Sequence, residues 1–195
     1  MIEWVVPLLL GVGLSAATGL RVFLPFFLIS LALHYNILSF EQNFIWLDNP
    51  YVVIALGIAV IVEIGGYYIP IVDHTLDIIG APLAFCAGVV SMSSMMPDMP
   101  AYVDSIISLI VGGGTALSIN SFSGMMRIKT TASFFGMANS TYSTIENILS
   151  TLFTLLAFLV PVMFGVAIIL FVFLAQRFIR RWISKIFGKL KVKPS

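Results

Sequence analysis

The chain has 195 residues, 59% of them hydrophobic and only 10% charged, with a mean hydropathy of +1.06. Soluble domains carry about 25% charged residues, so a soluble fold of this length could not hide its apolar surface, and lipid is the solvent that suits it. The net charge of +1 conceals a segregation, because seven of the ten Lys and Arg fall in the last 19 residues.

Those seven are Arg177, Arg180, Arg181, Lys185, Lys189, Lys191 and Lys193. A basic segment directly after an apolar run reads as a cytoplasmic flank and can touch anionic lipid headgroups. It is too short, and too close to a membrane boundary, to read as a nucleic-acid-binding arm. The single cysteine, Cys86, has no partner for an internal disulfide or a cysteine metal site. The N-terminus has no basic n-region and no small-x-small cleavage pattern, so the first apolar run is expected to be retained.

The first apolar segment runs from about Trp4 to Leu33. As one helix its 30 residues would reach about 45 Å, well past a hydrocarbon core of roughly 30 Å. It must therefore tilt, break or re-enter, and the small-residue patch "GVGLSAATG" is the expected place. A loop with His34, Glu41 and Asp48 follows, with "FIWL" at 44–47 as an interfacial anchor. Segment two runs from about Tyr51 to Ile64, with Glu63 near its end. "GGYYIPIVD" is read as a turn, and segment three runs from about Thr75 to Met96. "MPDMP" is a loop, since two prolines bracket an aspartate. Segment four runs from about Val103 to Ile119 and contains "GGG" at 112–114, which permits close helix approach. The region 120–144 is the least hydrophobic interior part, read as a loop, a re-entrant element or a broken helix. The last apolar run, Asn147 to Ala175, is divided by Pro161, as one kinked helix or as a hairpin. The hairpin, giving six segments rather than five, puts Arg127 and Lys129 on the side of the basic tail and Glu41, Asp48 and Asp98 on the other, as the positive-inside rule asks.

Two patterns recur in order. "SAATGLR" (15–21) is echoed by "SFSGMMR" (121–127), with serine and arginine six residues apart in each. "HTLDII" (74–79) is echoed by "STIENI" (143–148), so that Asp77 matches Glu146. A duplication with three segments per half makes the two copies opposite in orientation, the inverted-repeat architecture of many transporters, with sites at the repeat interface. "GLSAATGLRVFLP", "VE" at 62–63, "IPIVDHTLD" at 69–77 followed by Pro82, the second arginine patch and Glu146 together resemble a family of bacterial multi-pass membrane proteins, domain of unknown function 4126. Its members carry Asp and Lys just before the "IP", where this chain has Tyr67 and Tyr68. The resemblance implies a membrane fold and no particular activity.

Arg21 stands inside the first apolar run with no other charge between Glu3 and Glu41. A charge near the bilayer centre costs at least about 2.5–3.5 kcal/mol on insertion scales, so such a residue faces the bundle interior, an acid or a wet path. Three readings compete: an ion pair with Glu63, Asp73, Asp77 or Glu146; a guanidinium that grips an anion or headgroup; or snorkelling from a break at Gly19. Arg127 shares them. Glu63, Asp73, His74 and Asp77 form the densest titratable cluster. One reading has Asp73 simply cap segment three, with Asp77 in its first turn; the alternatives are ion or proton coupling, or a divalent cation site. Glu146 has the same helix-dipole reading. No catalytic arrangement and no metal motif stands out, and any cofactor is unknown.

The sequence therefore predicts an all-α integral membrane protein of one domain, 1–195, with five or six transmembrane segments in two related, inverted halves (about 1–99 and 100–182), broken helices at the arginine patches, and a basic cytoplasmic tail at 183–195. The expected role is a small transporter or channel for an ion or small charged solute, non-enzymatic, in the bacterial cytoplasmic membrane. Arg21, Glu63, Asp73, His74, Asp77, Arg127 and Glu146 are the candidates for its path. A homo-oligomer is the expected partner beside lipid, and nucleic acid is not. The alternative is a scaffold or accessory subunit in which these charges are structural ion pairs.

Overall fold

The computed structural model describes residues 2–37, 42–68, 70–97, 99–134 and 138–190; the side chains of residues 2, 3, 42, 43, 70–75, 77, 78, 128–134, 138–140 and 182–190 lie outside that description. Every regular element among these residues is helical: α1 (Ile2–Leu20), α2 (Phe23–His34), a 3-10 turn (Gln42–Asp48), α3 (Pro50–Gly66), α4 (Pro70–Ser93), α5 (Ala101–Ile107), a π-helical stretch (Ser108–Gly113), α6 (Gly114–Phe134), α7 (Ala138–Leu159) and α8 (Pro161–Leu190). The chain is an all-α membrane protein. Ala101–Arg127, Thr141–Leu159 and Pro161–Arg181 are each long and apolar enough to cross a bilayer, and Trp4–Leu20, Phe23–His34, Pro50–Gly66 and Ile79–Ser93 are shorter apolar helices.

Burial follows the pattern of a bundle in lipid. Large apolar side chains point outward, among them Ile61 on α3, Leu159 on α7 and Met163 on α8, at 72%, 75% and 74% exposure. Small polar side chains are instead buried between helices, where they find backbone carbonyls. Ser15 donates to the Gly88 carbonyl at 3.0 Å and Ser150 to the Ala17 carbonyl at 3.0 Å.

α1 runs through the middle of the bundle, packed on α4, α6, α7 and α8. Its small residues permit this. A Cβ at Gly19 would stand 2.6 Å from the Ala116 carbonyl oxygen, so the α1 and α6 backbones touch there. Gly13 meets Ala157, Ala17 meets Ser150 and Arg21 meets Ser143, so α7 runs antiparallel to α1. Leu9 then meets Gly165, and Val12 and Ala16 cluster with Ile168, so α8 runs back along α1. The chain reverses at Val160, with Pro161 opening α8, where its missing N–H costs nothing. This is the hairpin form of the last apolar run.

The first segment breaks at Arg21 and Val22, at the end of the small-residue patch. Pro25 accounts for the position: it has no N–H for the Arg21 carbonyl, and its ring would collide with that carbonyl in a continuous helix. The second arginine patch has no such proline, and α6 runs unbroken past Arg127 to Phe134. The expected break there, and the loop or re-entrant element over 120–144, are replaced by two helices. α4 also begins earlier than expected, at Pro70, so Asp73 lies within its first turn rather than at an N-cap. A proline at the first helical position starts a helix well, which turns "IPIVD" from a turn into a helix start.

Candidate functional site

The break between α1 and α2 leaves Arg21 and two backbone N–H groups inside the bundle. α2 has no side-chain cap from its own N-cap residue, Val22. Glu63, near the end of α3, supplies one: it accepts from the Val22 N–H at 2.7 Å and from the Phe23 N–H at 3.1 Å. A carboxylate on the first N–H groups of a helix satisfies orphan donors and meets the positive end of the dipole. Glu63 is buried, and in this structure its carboxylate serves as that cap.

The Arg21 guanidinium turns the other way, towards α7. Its Nη2 donates to the Ser143 carbonyl at 3.1 Å and to Ser143 Oγ at 2.5 Å, and lies 3.2 Å from Glu146 Oε2. Arg127, from α6, reaches the same carboxylate with two nitrogens, Nε to Oε1 at 3.2 Å and Nη2 to Oε2. Ser123, one helical turn before Arg127, donates to Glu146 Oε1. Arg21 and Ser143 are 122 positions apart in sequence, and the antiparallel packing of α1 on α7 is what joins them.

Tyr67, the first residue after α3, lies beside both guanidiniums. The Arg21 and Arg127 carbons Cζ stand 4.0 Å and 4.1 Å from its ring centroid. Two guanidiniums so close repel, and the aromatic ring beside both offsets part of that repulsion, a cation–π contact being worth about 0.5–2 kcal/mol. The site is dry: the side chains of Arg21 and Glu146 are 0% and 3% exposed. In such surroundings, removing one partner of a buried ion pair costs about 3–5 kcal/mol, because the other charge is stranded.

On the far side of Tyr67 and Glu63 a half-open crevice of about 300 Å³ faces outward, walled by Val22, Phe23, Ala55, Ile58, Leu76 and Leu83. It is almost entirely apolar apart from those two residues, and the Tyr67 ring that lines it also lies 4.0 Å from Arg21 Cζ.

Of the residues singled out from sequence, Arg21, Arg127 and Glu146 come together in one network, and Glu63 stands beside it as the α2 cap. Asp73, His74 and Asp77 lie on the first turns of α4; the side chains of all three are outside the described residues. The sequence does not single out Tyr67, Ser123 or Ser143 for the site. For Ser143 a signal exists, since the echoed "STIENI" places it one turn before Glu146 on the same helix face.

The sequence pattern of the family described as Domain of unknown function (DUF4126) matches residues 8–181, which contain the whole network. The chain belongs to this family. No curated protein and no solved structure matches it. Within the matched region, the Tyr67 ring packs against both arginines.

Proposed function

We propose that the protein is a small transporter or channel for an ion or small charged solute, and that the Arg21–Glu146–Arg127 network lies on its path in a closed state. The observation that carries this reading is the convergence of two arginines, one from a broken helix, on a single buried glutamate inside a membrane bundle. Intramembrane ionisable residues mark solute and ion pathways by default, and broken helices at bilayer depth mark the sites of many transporters.

The packing supports two inverted halves divided near 99. α1 lies antiparallel on α7, and α4 lies antiparallel on α6, with Gly88 against Ala116 and Gly80 near Asn120. Each arginine-bearing helix thus packs on the acidic helix of the other half. In this scheme Asp77, with Asp73 and His74 nearby on α4, is the first-half counterpart of Glu146. The exposed Arg177, Arg180 and Arg181 at the end of the last span favour a cytoplasmic C-terminus in a bacterial inner membrane, where they can meet anionic headgroups. A homo-oligomer fits so thin a bundle.

The dryness of the network favours the second reading, a scaffold or accessory subunit with structural ion pairs. Flux assays in liposomes with the wild type, Arg21→Ala, Glu146→Gln and Asp77→Asn separate the two. Under the transport reading, solute flux falls in the variants; flux unchanged in all three, in protein that still folds, removes these residues from any path.

A further inference from the structure

We propose that the solute of this site is a small monovalent anion, a halide or short carboxylate, and that Arg21 is the residue that holds it; the inference rests on the transport reading above and names its substrate class. It follows from which hydrogen-bond donors in the network have acceptors. A guanidinium has five N–H donors in one plane. All contacts of Arg21 with Ser143 and Glu146 are made by Nη2. Nε and Nη1, which carry the other three N–H groups, are buried and have no hydrogen-bond partner among the described residues.

Of the described carboxylates nearby, Glu146 has its acceptor sites filled, and Glu63 accepts nothing from Arg21 Nε or Nη1. Glu146 takes Ser123 and Arg127 Nε on Oε1, and Arg127 Nη2 and Arg21 Nη2 on Oε2. Four contacts match the roughly four lone-pair sites of a carboxylate. Glu63 is held by the N–H groups of Val22 and Phe23. Tyr67 supplies no hydrogen-bond acceptor to Nε or Nη1 either, its contact with Arg21 being that of the ring with Cζ, 4.0 Å from the centroid. A buried donor without an acceptor is costly, the more so on a charged group. A network serving structure alone is expected to satisfy all its members. What fits three unmatched donors on a buried cation is an anion with oxygen or halide acceptors, bound by charge-assisted hydrogen bonds. Tyr67 is also a wall of the outward crevice, so one ring touches both that opening and the arginine.

The test uses the full chain in lipid nanodiscs, titrated with sodium bromide and sodium acetate at constant ionic strength against sodium gluconate as a bulky control. Bromide and acetate are expected to raise the unfolding temperature saturably where gluconate does not. Arg21→Lys, which keeps the charge but loses the planar fork, is expected to weaken that titration by about tenfold or more. Because a variant could fail to fold, bromide anomalous scattering from crystals of the wild-type protein is the second measurement, with a peak expected beside Arg21 Nε or Nη1. No saturable shift and no peak overturns the proposal, and cation flux in that same protein would leave the transport reading standing. Binding at Arg21 without flux of any solute upholds the anion site and removes the transport reading.

Discussion

The two arginine patches share a sequence pattern and differ in what surrounds them. At the first, Pro25 breaks the helix at Arg21, the freed N–H groups of Val22 and Phe23 need Glu63, and the guanidinium keeps donors without acceptors among the described residues. At the second, α6 is continuous, and Arg127 clasps Glu146 through two nitrogens with Ser123 in support. Like motifs in a membrane bundle therefore need not do like work. Arg127 neutralises and positions Glu146, whereas Arg21 has hydrogen-bonding capacity to offer a ligand.

Substitutions at and around the two patches put that contrast at risk. Most is at stake at the shared acid. Glu146→Ala strands both guanidiniums, and with about 3–5 kcal/mol for a single broken buried pair the protein should unfold far earlier in detergent, or fail to accumulate; a variant as stable as the wild type removes the network as a source of stability. Glu63→Gln keeps the shape of the α2 cap and loses its charge. A cost of about 1–2 kcal/mol is expected, with faster amide exchange at Val22 and Phe23 and no change at α6; uniform exchange at both patches contradicts the assigned cap. Tyr67→Leu should lose about 1–2 kcal/mol of cation–π stabilisation and Tyr67→Phe less, since the ring remains; equal losses place the effect in the hydroxyl and not the stack. The glycines give a contrast of sign. Gly19→Ala puts a methyl against the Ala116 carbonyl and should destabilise by about 1–3 kcal/mol. Gly124→Ala, with nothing within 4 Å of the new methyl, should be stabilising by about 0.5–1 kcal/mol through helix propensity. Thermal unfolding of the pair side by side gives opposite signs, and like signs contradict the packing described.

Much of this is legible in the sequence, for physical reasons. A charge without neighbours in an apolar run has to find a partner inside the bundle, so Arg21 announces itself. The echo of "HTLDII" by "STIENI" picks out Glu146, and it is the acid Arg21 meets. The reversal at Pro161 follows from loop charge. Less legible are features that depend on contacts between distant helices. Tyr67 carries no signal of its own, because its role arises only when α1 and α6 bring two guanidiniums to its ring. The polar run 120–127 looks unlike a membrane helix, since Asn120, its serines and Arg127 lower its hydropathy; Ser123 and Arg127 are buried against other helices, which tolerate polar groups where lipid would not. Reading Pro70 as a turn former misplaces Asp73, because that proline opens α4.

The division of labour between the arginines is tested most directly by one comparison: anion flux and unfolding temperature measured together, in liposomes and nanodiscs, for Arg21→Lys and Arg127→Lys. Arg21→Lys is expected to lose most of the flux of bromide or acetate while its unfolding temperature falls little. Arg127→Lys is expected to lose stability first, through its two-nitrogen grip on Glu146. Wild-type flux in Arg21→Lys, with its stability intact, would contradict that division.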